Sequence, residues 1–166
     1  MKVVLLISFF TLGFFGFYTS YPHVIQWGTE RKINPNPNQF VHSKKPNHRT
    51  RQVVLPNPDF LYSIAFYDLR RGPITILGEV PKGTPYFSVA FYQANTSNYR
   101  VIDQAEFPDG KLAITLYPKG EESSSGTFGV ASPTLTGTLL LRYIWKDTSD
   151  LERIARNQQS LSILMP

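Results

Sequence analysis

The chain has 166 residues, of which 42% are hydrophobic, 17% charged and none cysteine, with a formal net charge of +5. That length fits one domain with some chain to spare, and the lack of cysteine excludes disulfides, thiolate nucleophiles and cysteine metal sites. The charge is local: residues 22–51 carry six Lys and Arg against one Glu, and residues 52–166 carry ten against eleven. A nucleic-acid binder carries its basic patch on the fold itself, so nucleic acid is not an expected partner.

Residues 1–21 form the first zone. From Val3 to Tyr21 there is no charge, and nineteen helical residues reach about 28 Å, close to a hydrocarbon core of about 30 Å. A cleavable signal peptide, the competing reading, wants small residues two apart at its cleavage site. Here Tyr18 stands two before Ser20 and Phe14 two before Gly16. The expected element is therefore an uncleaved transmembrane helix, with Tyr18, Tyr21 and Trp27 placed where an interfacial aromatic belt lies.

Residues 22–51 predict an extended, basic linker. "INPNPNQ" at 33–39 repeats Asn-Pro and "KKPNHRTR" at 44–51 is basic; each proline pushes the residue before it towards extended geometry. Arg31, Lys32, Lys44 and Lys45 are candidates for contact with lipid headgroups or an acidic partner, or serve only to solvate the linker. All three histidines (His23, His42, His48) lie here. A metal site needs several converging ligands, so none is expected. Lys2 stands alone before the span while Arg31 and Lys32 follow it, a small imbalance that by itself points the domain towards the cytoplasm.

Residues 52–166 predict a β domain. Runs at 61–68, 74–80, 86–93, 111–117 and 134–145 are separated by turn residues, the pattern of a sandwich or barrel. In "KLAITLY", Leu112, Ile114 and Leu116 share one face; in "YFSVAFYQ", Phe87, Val89 and Phe91 do. Near the end, Ser149 and Glu152 fit a capping box, and Leu151, Ile154, Ala155 and Leu161 follow at helical spacing. That helix is expected to cover an end or edge of the sheet.

No constellation of catalysis is evident. The β domain lacks both His and Cys, so Ser-His-Asp and Cys-His arrangements and ordinary zinc sites are absent. Neither phosphate-cradling glycine motif occurs. Carboxylates are available at Asp59, Asp68, Asp103, Glu106 and Asp109, but sequence places no two of them across a cleft as glycoside hydrolysis requires. Aromatics are abundant in the first half of the domain. Core packing accounts for most of them, and a binding groove is the sharper alternative.

"LPNPDFLYSIAFYDLRRGPITI" followed by "YFSVAFYQANTSNYRVIDQ" resembles the bacterial family filed as domain of unknown function 1254. The residues that carry the resemblance are Pro56, Asn57, Asp59, Leu61 and Tyr62, then Asp68, Leu69, Gly72 and Pro73, then Tyr86, Phe87 and Ser88. The late "TLLLRYIW" strand and terminal helix also fit, so the likeness spans roughly residues 52–164. It implies a jelly-roll-like antiparallel β-sandwich with a short C-terminal helix, an exported location and no established activity. Longer relatives carry a second β domain. Ala90 and Gln93 depart from the Gln and Asp of those relatives, which puts any ionisable pocket of theirs in doubt.

The expectation is a membrane-anchored, non-catalytic interaction module, docked as an accessory subunit on a larger membrane protein complex. Its partners are membrane lipid and that complex, with no cofactor. The expected location is a bacterial inner membrane with the folded domain in the periplasm. Asp59, Tyr62, Asp68, Tyr86 and Tyr92 are the candidate ligand or partner surface. The alternative is a small-ligand-binding or carboxylate-based enzyme domain in the cell envelope.

Overall fold

The computed structural model describes residues 2–34, 36–43, 57, 59–121 and 127–165. In chain order the elements are α1 (Lys2–Ile33), β1 (Phe40–His42), β2 (Phe60–Asp68), β3 (Ile74–Glu79), β4 (Phe87–Gln93), β5 (Asn98–Asp103), β6 (Lys111–Pro118), β7 (Phe128–Ser132), β8 (Thr136–Ile144), α2 (Thr148–Ser160) and β9 (Ser162–Leu164). One sheet runs β1-β2-β8-β4-β5 and the other β7-β6-β3-β9. The pairing is antiparallel except between β6 and β7, which run parallel.

Alternation puts one face of each sheet into a shared core. Phe87, Val89 and Phe91 of β4 are fully buried there with Leu139 and Leu141 of β8. Leu112, Ile114 and Leu116 of β6 meet them from the other sheet, with Ile74 and Ile76 of β3. Burying such side chains is worth about 1.5–3 kcal/mol each relative to exposure. The expected β-sandwich with a C-terminal helix is what forms. The five sequence runs become β2, β3, β4, β6 and β8. The short strands β1, β5, β7 and β9 were not anticipated.

Over residues 22–43 the linker expectation is corrected, and residues 44–51 lie outside the described residues. Helix α1 does not stop at Tyr21 but continues through Pro22 to Ile33. Proline costs a helix one hydrogen bond, and packing offsets that cost. Pro22, Gln26, Thr29, Glu30 and Ile33 recur at helical spacing and are half-buried. Gln26 Nε2 donates to Thr138 Oγ1 on β8 at 2.7 Å. An amphipathic face laid on a sheet stabilises a helix far more than propensity does.

The end of the Asn-Pro repeat, at Asn38, is likewise folded onto the sheet. Asn38 adopts φ 58°, a left-handed conformation asparagine tolerates. Its backbone N–H donates to Phe66 O at 2.8 Å. Its side chain accepts from Asp68 N at 2.9 Å and donates to Asp68 O at 3.1 Å. Asn38 thereby extends the edge of β2 just ahead of β1, which pairs Phe40, Val41 and His42 with Ala65, Ile64 and Ser63.

Helix α2 is capped earlier than expected. Asp147, not Ser149, accepts from the N–H of Asp150, and Ser149 Oγ donates to the same carboxylate. A carboxylate serves this role as well as a hydroxyl and also suits the positive end of the helix. Ile154 enters the core, while Ala155 faces solvent. Asn157 and Gln158 donate to Glu79 O at 3.2 Å and Tyr62 O at 3.1 Å. The helix thus covers exposed strand carbonyls, as expected.

Candidate functional site

Strand β2 is apolar on both faces. Leu61, Ala65 and Tyr67 point into the core, while Tyr62, Ile64 and Phe66 point outward and are also buried. A two-sided strand needs a cover on each side. The outer cover includes the last third of α1, and the fit is incomplete. Between helix and sheet lies a groove of about 580 Å³. Its floor includes Ile64, Phe66 and Leu140, and its helical wall includes Val24, Ile25 and Ile33. Val24 and Ile25 remain 58% and 45% exposed. Polar groups are sparse: Thr29, Thr96 and the Gln26–Thr138 pair, with Lys32 as the one cation among the lining residues.

The groove adjoins a surface of membrane-like character. Helix α1 is long and apolar enough to cross a bilayer, and the residues of its candidate window are unburied by protein. Rings stack along it at one-turn spacing: Phe10 on Phe14, Phe14 on Tyr18, and Phe17 on Tyr21. At about 1.5 Å per residue the 32-residue helix is ~48 Å long, so ~18 Å extends past a hydrocarbon core of ~30 Å. Val24 lies one turn beyond Tyr21 on that extension.

Of the residues singled out in the sequence, Tyr92 and Lys32 line the groove. Trp27 and Arg31 form a cation–π pair, the guanidinium 4.2 Å from the ring centre. Lys44 and Lys45 lie outside the described residues, as do Pro56 and Pro58. Tyr62 is buried and its hydroxyl accepts from Asn57 N at 3.2 Å. Tyr86 meets Phe60 edge-on at 6.2 Å, with the Arg142 guanidinium 6.0 Å from its ring. Asp59 is exposed in the turn before β2, where Asn57 Oδ1 accepts from its backbone N–H.

Asp68 bonds locally. Its carboxylate accepts from Arg70 N at 3.0 Å and from Arg70 Nε at 2.9 Å. The hydrogen bonds to Arg70 hold that carboxyl below the ordinary aspartate range. Arg70 is in turn held protonated by Asp68, with Glu30 of α1 adding to the field. Asp59 and Asp68 sit at opposite ends of a nine-residue strand, about 26 Å long at ~3.3 Å per residue. Glycosidase carboxylates stand within about 10 Å of each other, so these two are not such a pair. Asp103 and Asp109 each accept from a backbone N–H two residues on, at Ala105 and Lys111. Among the described residues no group of His, Cys, Asp or Glu is arranged to hold a metal ion.

Sequence reasoning missed the groove's walls. The signals were the outward apolar residues Ile64 and Phe66, and the apolar pair Val24-Ile25 just past the uncharged stretch Val3–Tyr21. One further polar cluster closes the sandwich. Tyr67 Oη meets Ser132 Oγ at 2.9 Å and Tyr92 O at 3.2 Å, beside the Tyr99 hydroxyl, whose ionisation burial pushes up. Its bonds are all internal, which gives it a structural role.

No curated protein matches the chain. The VPA0106 protein from Vibrio parahaemolyticus is similar in structure, with a TM-score of 0.67 at 13% identity, over 89% of this chain and 35% of that one. An uncharacterized protein from Burkholderia cenocepacia is also similar, with a TM-score of 0.51 at 22% identity, over 80% of this chain and 37% of that one. Identities this low speak for the fold alone, and the chain spans little more than a third of either protein. Residues 37–164 match the family described as "Protein of unknown function (DUF1254)", beginning at the Asn38 segment folded onto β2, and the chain belongs to that family.

Proposed function

We propose that the chain is a single-pass, membrane-anchored, non-catalytic interaction module, an accessory subunit that docks on a larger membrane protein complex. The reading places its sandwich on the periplasmic side of a bacterial inner membrane. The observation that carries it is the continuity of α1. One helix leaves the apolar span and packs on the sheet, leaving an apolar groove directly beyond the span. The occupant we assign is the apolar juxtamembrane segment of an integral membrane partner. Val24 and Ile25 continue the lipid-facing character of the span, so such a segment could follow one apolar surface from bilayer to groove. Arg31 and Lys32 then meet anionic headgroups at the membrane surface. The family resemblance favours export over the small Lys and Arg imbalance.

The test is a photo-crosslinking side chain placed at Ile25, with native membranes solubilised in mild detergent. The expected result is a crosslink to one integral membrane protein and migration of the untagged chain in a larger assembly. Migration alone at native abundance, with no protein crosslink, overturns the reading. A second reading rests on the groove's size, which lies within the range of about 300–1,000 Å³ typical of small-ligand sites. A crosslink to lipid only would favour that amphiphile-binding role instead.

A further inference from the structure

At the other end of the sandwich from Asp68, three elements converge on a polar cleft of about 490 Å³. The turn after β3 brings Lys82, the turn into β6 brings Asp109 with Lys111 opening the strand, and α2 brings Arg153 and Arg156. Glu79, at the end of β3, also lines it. Four cations therefore face two carboxylates, and one of these, Asp109, already accepts from the backbone N–H of Lys111 at 3.0 Å. Arg153 Nη2 pairs with Asp150. Lys82, Lys111 and Arg156 have no salt-bridge partner among the described residues.

Two enclosed polar atoms of the elements behind the cleft make no hydrogen bond. Among the described residues three enclosed side-chain polar atoms make no hydrogen bond: Thr84 Oγ1, Tyr143 Oη and Arg153 Nε. Two of the three belong to elements that build this cleft. Thr84 closes the Pro81–Thr84 turn that carries Lys82 and is only 6% exposed. Arg153 Nη1 lies on the same turn's Gly83. A surplus of cations brought from three separate elements to one cleft is the composition of an anion site.

We propose that this cleft binds a phosphate-class anion. Arg153, braced by Asp150, is the fixed donor, and Lys82, Lys111 and Arg156 close around it. The anion's source is either a free phosphate-bearing solute or a lipid headgroup. The site is independent of the groove and of the docking role assigned to it.

The experiment uses the full chain. In nonionic micelles it is titrated calorimetrically with inorganic phosphate at constant ionic strength. In nanodiscs of phosphatidylglycerol or phosphatidylcholine, hydrogen exchange is followed over residues 80–84 and 109–111. The variant is Lys82→Ala/Arg156→Ala, both exposed positions, with Lys119→Ala as a control on another loop. Saturable phosphate binding that weakens about a hundredfold in the double variant, and not in the control, supports the site with a free solute as source. Protection only in phosphatidylglycerol, lost in the double variant, supports it with a headgroup as source. If neither probe distinguishes the parent from the double variant, the proposal is wrong.

Discussion

Gly137→Ala tests the packing that joins the core to the groove. Gly137 sits in β8 opposite Tyr67 of β2 and Gln93 of β4, one residue before the groove-lining Thr138. A Cβ there would fall well inside van der Waals contact with Tyr92 O and Tyr67 Oη, and 2.5 Å from Tyr67 Cζ. Tyr92 O is backbone in the middle of a three-strand ladder and cannot swing aside. Overpacking of this kind costs about 1–3 kcal/mol. Displacing Tyr67 also weakens its bonds to Ser132 and Tyr92, at about 1 kcal/mol each. The sum is about 3–5 kcal/mol, a large share of an ordinary stability of about 5–15 kcal/mol. In a domain of this size it lowers the melting temperature by roughly 10–15 °C. The assay is thermal unfolding of the full chain in detergent, followed by near-ultraviolet circular dichroism of the buried tyrosines. Tyr67→Phe in the Gly137→Ala background should recover only part of the loss, because the clash with Tyr92 O remains. A drop below about 3 °C, or full recovery in the double variant, refutes the reasoning.

Asn38→Ala removes both side-chain bonds to Asp68 and a residue suited to left-handed backbone. It should cost about 2–3 kcal/mol and loosen β1 selectively, read as faster amide exchange over 38–43. Ile154→Ala empties a fully buried position and should cost about 2–5 kcal/mol by denaturant titration. A loss under 1 kcal/mol would show that α2 is not docked as described. His42 is half-buried, with Nδ1 at 2.9 Å from Ser63 Oγ, and burial pushes its pKa below the ordinary value of 6.5. Its folded pKa is thus below its unfolded one, so stability is full above pH 6.5 and declines as the pH falls through the folded value. The melting temperature should drop as the pH falls below about 6.5 in the parent and drop less in His42→Gln.

The same strand logic explains what could be read in advance and what could not. Leu112, Ile114 and Leu116 announce β6 because period-two alternation is a local property, and the local reading found β2, β3, β4, β6 and β8. Strands β1 and β9, three residues each, are too short to show a period. They exist because the edges of β2 and β3 offer them hydrogen bonds. The two misread stretches fail for one reason. "VIQWGTERKI" and "NPNPN" are judged alone as linker, and each is organised by a surface elsewhere in the chain: Thr138 for the helix, Asp68 for Asn38.

By itself the sequence determined an apolar N-terminal segment of spanning length, a mainly β domain, its principal strands and the family to which it belongs. These rest on composition, periodicity and short motifs, which are properties of neighbouring residues. Only the tertiary structure decided that the helix continues onto the sheet and that a groove and a cationic cleft exist. Each of those is a relation between residues tens of positions apart. Such relations come from which faces bury together, and no local pattern encodes them.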